Sequence, residues 1–176
     1  MKLRLITTLL ILCSALMGCE KELPVYDGEV LYRDGMFYKP NSNVPLTAKV
    51  ETYHENGQLK TQYTLIKGKK EGVLTVFYED GQLNNKYALV NGKAEGVSKG
   101  WHQNGRLSFE ATFVNGKEEG LEKHWYENGQ LRYEYAYVNG ELEGLWNSWS
   151  ENGQELDPIC YRADFKRNMS YCEAKE

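Results

Sequence analysis

Between residues 131 and 138 the chain reads LRYEYAYV, with Leu131, Tyr133, Tyr135 and Tyr137 at every second place and Arg132, Glu134 and Ala136 between them. The same columns hold Leu107, Phe109, Ala111 and Phe113 one unit earlier, and Leu83, Asn85, Tyr87 and Leu89 before that. Apolar residues at period two predict a strand with one covered face and one wet face. Short polar phrases separate such runs: HENGQL from 54, YEDGQL from 78, HQNGRL from 102, YENGQL from 126 and SENGQE from 150.

The phrases recur at a fixed period of 24 residues, through Asn56–Gly57, Asp80–Gly81, Asn104–Gly105, Asn128–Gly129 and Asn152–Gly153. Lys67–Gly68, Asn91–Gly92, Asn115–Gly116 and Asn139–Gly140 form a second series in step with the first, and Gly72, Gly96, Gly120 and Gly144 a third. Self-similarity of this kind defines a repeat architecture in which each unit is one supersecondary element. Each unit carries a strand before the NGQL phrase and one after it. The fold class expected is therefore all-β: tandem 24-residue hairpins in a single elongated, twisted antiparallel sheet of about ten strands.

Parity selects the turn. A two-residue Asn-Gly loop would put Trp125 on the face of Arg132 and Glu134. A three-residue loop, Glu127-Asn128-Gly129 as a type I turn with Gly129 left-handed at a bulge, pairs Tyr126 with Gln130 and Trp125 with Leu131. On this reading Leu121, Trp125, Leu131, Tyr133, Tyr135 and Tyr137 share one face, since a one-residue slip would send the whole set to the other. Phe77, Trp101, Trp125 and Trp149 occupy one column and are expected to stack along the inner or concave face. With Tyr133 and Tyr135 they form the candidate binding face. A long exposed apolar strip either marks a binding surface or packs upon itself.

Catalytic chemistry finds little purchase. His54, His102 and His124 are the whole histidine supply and fall by parity on the polar face, so no metal site is expected. Glu71, Glu95, Glu119 and Glu143 precede the third glycine series; a catalytic acid is needed once, whereas a structural one is needed at every turn. NGKAEG opens a strand rather than a helix, so it is no phosphate loop. Each turn offers one or two acids, too few for a calcium loop. No catalytic residue, cofactor or metal is expected.

Residues 1–18 have the anatomy of a secretory signal: Lys2 and Arg4, an apolar run from Leu5 to Leu12, then small residues. That run is too short to cross a bilayer. Lys2 and Arg4 leave with it and no acid does, so the net charge of −4 becomes −6. This balance, with no basic stripe, argues against nucleic acid as a partner. LMGC at residues 16–19 resembles the lipobox of bacterial lipoproteins, which implies cleavage before Cys19 and acylation of that residue; an ordinary secreted chain with a cysteine there is the alternative. Glu20 rather than Asp after the cysteine implies, by the sorting rule of enteric-type bacteria, the outer membrane facing the periplasm. With Cys13 removed and Cys19 lipidated, Cys160 and Cys172 remain, and in an oxidising compartment they read as one disulfide.

FYEDGQL, YALVNGKAEG, KHWYENGQL and YAYVNGELEG resemble MORN repeats, in the bacterial variant labelled the YwqK-type antitoxin family, over about residues 32–153. LYRDGMFYKPNSNVPLTAKV is similar to the N-terminal unit of such lipoproteins, with Ala48 where a glycine is usual. The organisation expected is a signal at 1–18, a tether at 19–25, an N-terminal capping unit at 26–48, repeats at 49–156 and a C-terminal cap at 157–176. The function expected is a non-catalytic, lipid-anchored envelope scaffold, held to the membrane by its lipid, that binds an unidentified protein partner or a membrane surface. The family label implies an alternative, an antitoxin or immunity protein that neutralises a toxin by direct contact.

Overall fold

The computed structural model describes residues 22–173. The expected signal at 1–18 and Cys19 lie outside them. Among the described residues no helix is long and apolar enough to cross a membrane.

The strands follow the alternating runs. After β1 (Val25–Tyr26) and the short hairpin β2 (Leu31–Arg33) and β3 (Met36–Tyr38) come β4 (Ala48–Tyr53), β5 (Leu59–Ile66), β6 (Lys69–Phe77) and β7 (Leu83–Val90). The next two units each contain a strand bent at its glycine: β8 (Lys93–Ala94) with β9 (Gly96–Trp101), then, after β10 (Leu107–Val114), β11 (Lys117–Glu118) with β12 (Gly120–Trp125). The chain ends with β13 (Leu131–Val138), β14 (Glu141–Trp149), β15 (Glu155–Arg162), β16 (Phe165–Arg167) and the helical turn α1 (Met169–Glu173). From β4 to β16 these strands form an antiparallel meander in chain order. The sheet is mixed rather than purely antiparallel, because β1 adds to the free edge of β4 in parallel, Val25 opposite Lys49 and Tyr26 opposite Val50.

The three glycine series make three different devices. In the first, Tyr126 N donates to Gln130 O (2.9 Å) and Gly129 N to Tyr126 O (2.9 Å), with Gly129 at φ 90. This is the bulged three-residue turn expected from parity, and the same pair of bonds closes the turns at 54–58, 78–82, 102–106 and 150–154. In the second, both central residues have positive φ, as at Asn139 (54) and Gly140 (83), which is the type I′ hairpin. The third series lies inside a strand: between the pairs Glu134–Asn147 and Tyr137–Leu142, β14 holds two residues more than β13, and Gly144 at φ 92 sits in that bulge. The carboxylate of the preceding glutamate accepts a backbone N–H from the next I′ turn. Glu71 takes Asn91 N (2.8 Å), Glu95 takes Asn115 N (2.7 Å), Glu119 takes Asn139 N (2.8 Å) and Glu143 takes Ala163 N (3.3 Å). Thr47 does the same for Lys67 N (2.8 Å). These acids are structural, one to each turn.

Ala163 and Asp164 continue the second series past its last glycine, with φ 49 and 64 and with Arg162 opposite Phe165. Aspartate tolerates the left-handed region better than most residues, and here Asp164 Oδ1 also accepts Leu142 N (2.8 Å).

Successive units are stapled at the turn end. His54 Nε2 lies 3.0 Å from Phe77 O, Tyr78 OH donates to Trp101 O (2.8 Å), His102 Nε2 lies 2.8 Å from Trp125 O, and Tyr126 OH donates to Trp149 O (3.0 Å). Asn56, Asn104 and Asn128 each accept the backbone N–H two residues on and donate to the carbonyl of Glu79, Glu127 and Glu151 in the next unit. Asp80 accepts Gln82 N but has no amide to donate; Gln103 reaches back to its second oxygen instead (3.1 Å). The Gln82 backbone N–H and then the Gln103 amide hold the Asp80 carboxyl below its usual range. A lowered folded value means that the ionised carboxylate adds a little stability at neutral pH, lost as pH falls through that value; differential scanning calorimetry is therefore expected to show a slightly larger acid loss of Tm in the wild type than in Asp80→Asn, and an identical acid loss in both would contradict this account of the turn.

The fully enclosed core lies at the N-terminal end. Leu46, Ala48, Val50 and Leu65 are buried, with Tyr26, Val30, Phe37 and Tyr63 packed on them. The β2–β3 hairpin closes over the first I′ turn through Phe37 N to Gly68 O (2.9 Å). A Cβ on Gly68 would meet Met36, Phe37 and Pro45 at 2.9 to 3.0 Å, so close approach as well as φ requires glycine there. At the other end Cys160 and Cys172 form a disulfide that ties α1 to β15, and Cys160 is buried.

Candidate binding face

The bulged turn pairs Trp125 with Leu131 as expected, but the register shifts at the next residue. His124 lies opposite Tyr133, Lys123 opposite Glu134, Glu122 opposite Tyr135 and Leu121 opposite Ala136. Cross-strand partners share a face. The tyrosine face is therefore completed by Glu122 and His124, while Leu121 and Lys123 lie on the other side. This corrects three expectations: Leu121 and Trp125 do not join Tyr133, Tyr135 and Tyr137, and His124 is not on the polar face. The cause is a second bulge, at Arg132, directly after the turn; the same shift follows the turns at Tyr53, Phe77 and Trp101.

Rings touch in a continuous run along this face. Tyr87 lies 6.3 Å from Phe109, Phe109 6.1 Å from His124, and His124 6.3 and 5.7 Å from Tyr133 and Tyr135. Tyr133 and Tyr135 lie 5.9 and 5.5 Å from Trp146, which is 5.7 Å from Tyr161, and Tyr137 is 5.7 Å from Tyr135. Several of these pairs are near-perpendicular, the arrangement that brings positive ring edges to negative ring faces. Of the six residues expected to form the binding face, Tyr133 and Tyr135 are in this run. Phe77, Trp101, Trp125 and Trp149 stand at the last positions of their strands, half-buried, and no ring pair joins them to one another. Their carbonyls, rather than their rings, receive the inter-unit bonds.

The middle of the run is polar. Glu122 Oε1 is 2.7 Å from His124 Nε2, Tyr135 OH is 2.8 Å from the same nitrogen, and Tyr135 OH donates to Glu122 Oε1 (3.1 Å). These bonds fix the imidazole among the rings. Toward the N-terminus the face narrows to small residues, Ser98, Gly100 and Ala111, and a Cβ on Gly100 would clash with the Phe109 ring that covers it. The opposite face carries ion pairs, Lys99 to Glu110 (2.6 Å) and Lys123 to Glu134 (2.8 Å), beside half-exposed Val73, Val97 and Leu121. Such exposed pairs contribute little to stability.

Burial pushes the Tyr63, Tyr87, Tyr135 and Tyr137 phenols above their ordinary value of 10.0, and the Glu122 carboxylate adds to the shift at Tyr135 and Tyr137. A raised folded value favours the neutral phenol in the folded state. Its contribution to stability is complete below pH 10.0 and is lost as pH rises through the raised folded values. Alkaline titration followed by near-ultraviolet absorbance is expected to leave part of the 13 tyrosines protonated until the sheet opens. Complete ionisation in one step at the ordinary value, with the sheet intact, would contradict the packing described.

Sequence reasoning placed none of Glu122, His124, Trp146 and Tyr161 on this face. A signal existed: the turn columns barely change from unit to unit, whereas one strand column runs Leu74, Ser98, Glu122, Trp146 and another Val76, Gly100, His124, Ser148. Positions free of turn duty vary where each unit faces something different.

Among the described residues no group of three His, Cys, Asp or Glu could hold a metal ion. The arrangement is that of a repeat protein built from tandem hairpins, compatible with a non-catalytic role in binding or scaffolding. The MORN repeat variant family matches residues 46–66, 70–87, 94–115 and 118–139, and the span 46–139 is a domain of MORN-variant repeats. No curated protein is similar enough to the chain to count as a match. The fifth bulged turn, at Asn152–Gly153, lies beyond the matched segments and has the same hydrogen bonds as the four within them.

Proposed function

We propose that the chain is a lipid-anchored scaffold of the bacterial cell envelope that binds a protein partner through the ringed face of its repeat sheet. The observation that carries this reading is the run of half-buried rings from Tyr87 to Tyr161 on one face of a single-layered sheet. Aromatic side chains offer large contact area at little conformational cost, which is why they anchor interfaces. The opposite face sets its Lys–Glu pairs among the half-exposed side chains of Val73, Val97 and Leu121 and has no such run of rings among the described residues. The anchor rests on the leader and on Cys19.

Capture from envelope extract with the full chain, compared with Tyr133→Ala and Tyr135→Ala on the ringed face and Leu121→Ala on the other, tests the binding face. Loss in the tyrosine variants and retention in Leu121→Ala is expected; equal retention in all three would show that the rings are only core. Trp101→Ala and Trp125→Ala report in the same assay whether the strand-end column takes part. Metabolic labelling with palmitate tests the anchor, and label that survives Cys19→Ser would end it.

A further inference from the structure

Where β13 and β14 leave the polar cluster, Tyr135, Tyr137, Leu142 and Trp146 line a half-open pocket of about 130 Å³. One water needs roughly 10–15 Å³ of such space, so the cavity has room for a small organic group. Three of its four walls are aromatic, and Tyr135 meets Tyr137 and Trp146 at 77° and 66°. These rings pack edge to face on one another, so the pocket lies beside them and is bounded by rings in different orientations. Two wall residues are each bonded to a carboxylate: Tyr135 OH donates to Glu122 Oε1 (3.1 Å), and Leu142 N donates to Asp164 Oδ1 (2.8 Å). The field of these acids is felt at the wall, since Glu122, Glu118 and Asp164 all act with burial to raise the Tyr137 phenol. A neighbouring ring already holds a cation, the Arg132 guanidinium 4.7 Å above Tyr133.

From this geometry we infer that the cavity is a binding site for a quaternary ammonium cation, with Tyr135, Tyr137 and Trp146 as the aromatic cage and Glu122 and Asp164 as the flanking counter-charges. Ring faces attract a cation electrostatically, most strongly when it is desolvated, and an aromatic cage is the usual solution for methylated ammonium groups. A primary ammonium fits less well: it carries three N–H donors that need acceptors once water is stripped away, and the walls are rings and a leucine side chain. A methyl-clad cation has no donors to satisfy and meets the same walls by dispersion. An anion is disfavoured by both carboxylates. The site rests on the proposed function only in lying on the same face, and it needs no protein partner to be occupied.

The test is calorimetric titration of the full chain with choline, set against 3,3-dimethylbutan-1-ol, which replaces the quaternary nitrogen by carbon and removes the charge. Choline is expected to bind about tenfold more tightly than the neutral isostere. Trp146→Leu is expected to weaken choline more than the isostere, and the paired change Glu122→Gln with Asp164→Asn to weaken choline several-fold while leaving the isostere little changed. Equal binding of choline and isostere would overturn the proposal, as would the absence of saturable choline binding. If Trp146→Leu fails to fold, the carboxylate pair decides alone: choline affinity unchanged in that variant overturns it. Monomeric short-chain phosphatidylcholine separates the two sources of the cation. Tighter binding than choline identifies a lipid headgroup, and equal or weaker binding a free solute. Envelope capture is read independently, so a failed titration leaves the scaffold reading standing and a failed capture leaves the cation site standing.

Discussion

Replacing Leu65 by alanine is expected to cost about 2–5 kcal/mol, the range for deleting a leucine side chain from a site that cannot collapse. Leu65 is fully buried, and it packs with Leu46, Ala48 and Val50 against Phe37 and Tyr63, where the β2–β3 hairpin covers the sheet. In a linear repeat array each unit touches only its neighbours, so the loss is expected to stay local. Amide exchange should quicken in β4, β5 and the β2–β3 hairpin while β10 to β14 keep their protection. A cost below about 1 kcal/mol, or uniform loosening from end to end, would show that the N-terminal layer does not secure this end.

Removing the disulfide is the second large effect, expected at about 3 kcal/mol from the loop-entropy model for a ring of this order. The change is best made as Cys160→Ala with Cys172→Ala, because Cys160 is buried and a serine hydroxyl there would add an unrelated penalty. Exchange should rise in β15, β16 and α1, and urea unfolding should lose cooperativity from the C-terminal end. If the double variant unfolds at the wild-type midpoint, the bond adds nothing that the β15–β16 pairing does not already supply. The two ends thus hold against fraying by different means: a folded-over hairpin with a small apolar core at one, a covalent link at the other.

The repeat, its period and the bulged turn were legible because each depends on contacts a few residues apart. Gly129 accepts positive φ cheaply, Asn128 bonds the backbone two residues on, and the residues either side must pair as they do. The role of Glu71, Glu95, Glu119 and Glu143 was legible as structural from recurrence alone; its form, a carboxylate closing a turn 20 residues later, was not. The turn at Ala163–Asp164 escaped notice because it lacks glycine, though the period lands on it.

The face assignment is where the strand pattern misled. Alternation counted through Leu131 and Tyr133 puts Leu121 and Trp125 with the tyrosines, yet Arg132 is an extra residue in the ladder and hands that place to Glu122 and His124. A bulge of this kind carries no glycine and leaves the alternating pattern of both strands intact, so no single strand betrays it. It also explains why the chemistry of the face was overlooked. Read as solvated polar residues, Glu122 and His124 have no tie to Tyr135; placed opposite the tyrosines, they form the hydrogen-bonded centre of the ring run.

The amino-acid sequence by itself determined an all-β array of 24-residue hairpins and the chemistry of its turns, because turn conformation is a local property of Asn, Asp and Gly. Only the tertiary structure decided which side chains share a face, which rings touch, and that the cavity between β13 and β14 is flanked by Glu122 and Asp164. Those outcomes depend on register across strands, and one added residue in the ladder reverses them while the repeat remains unchanged.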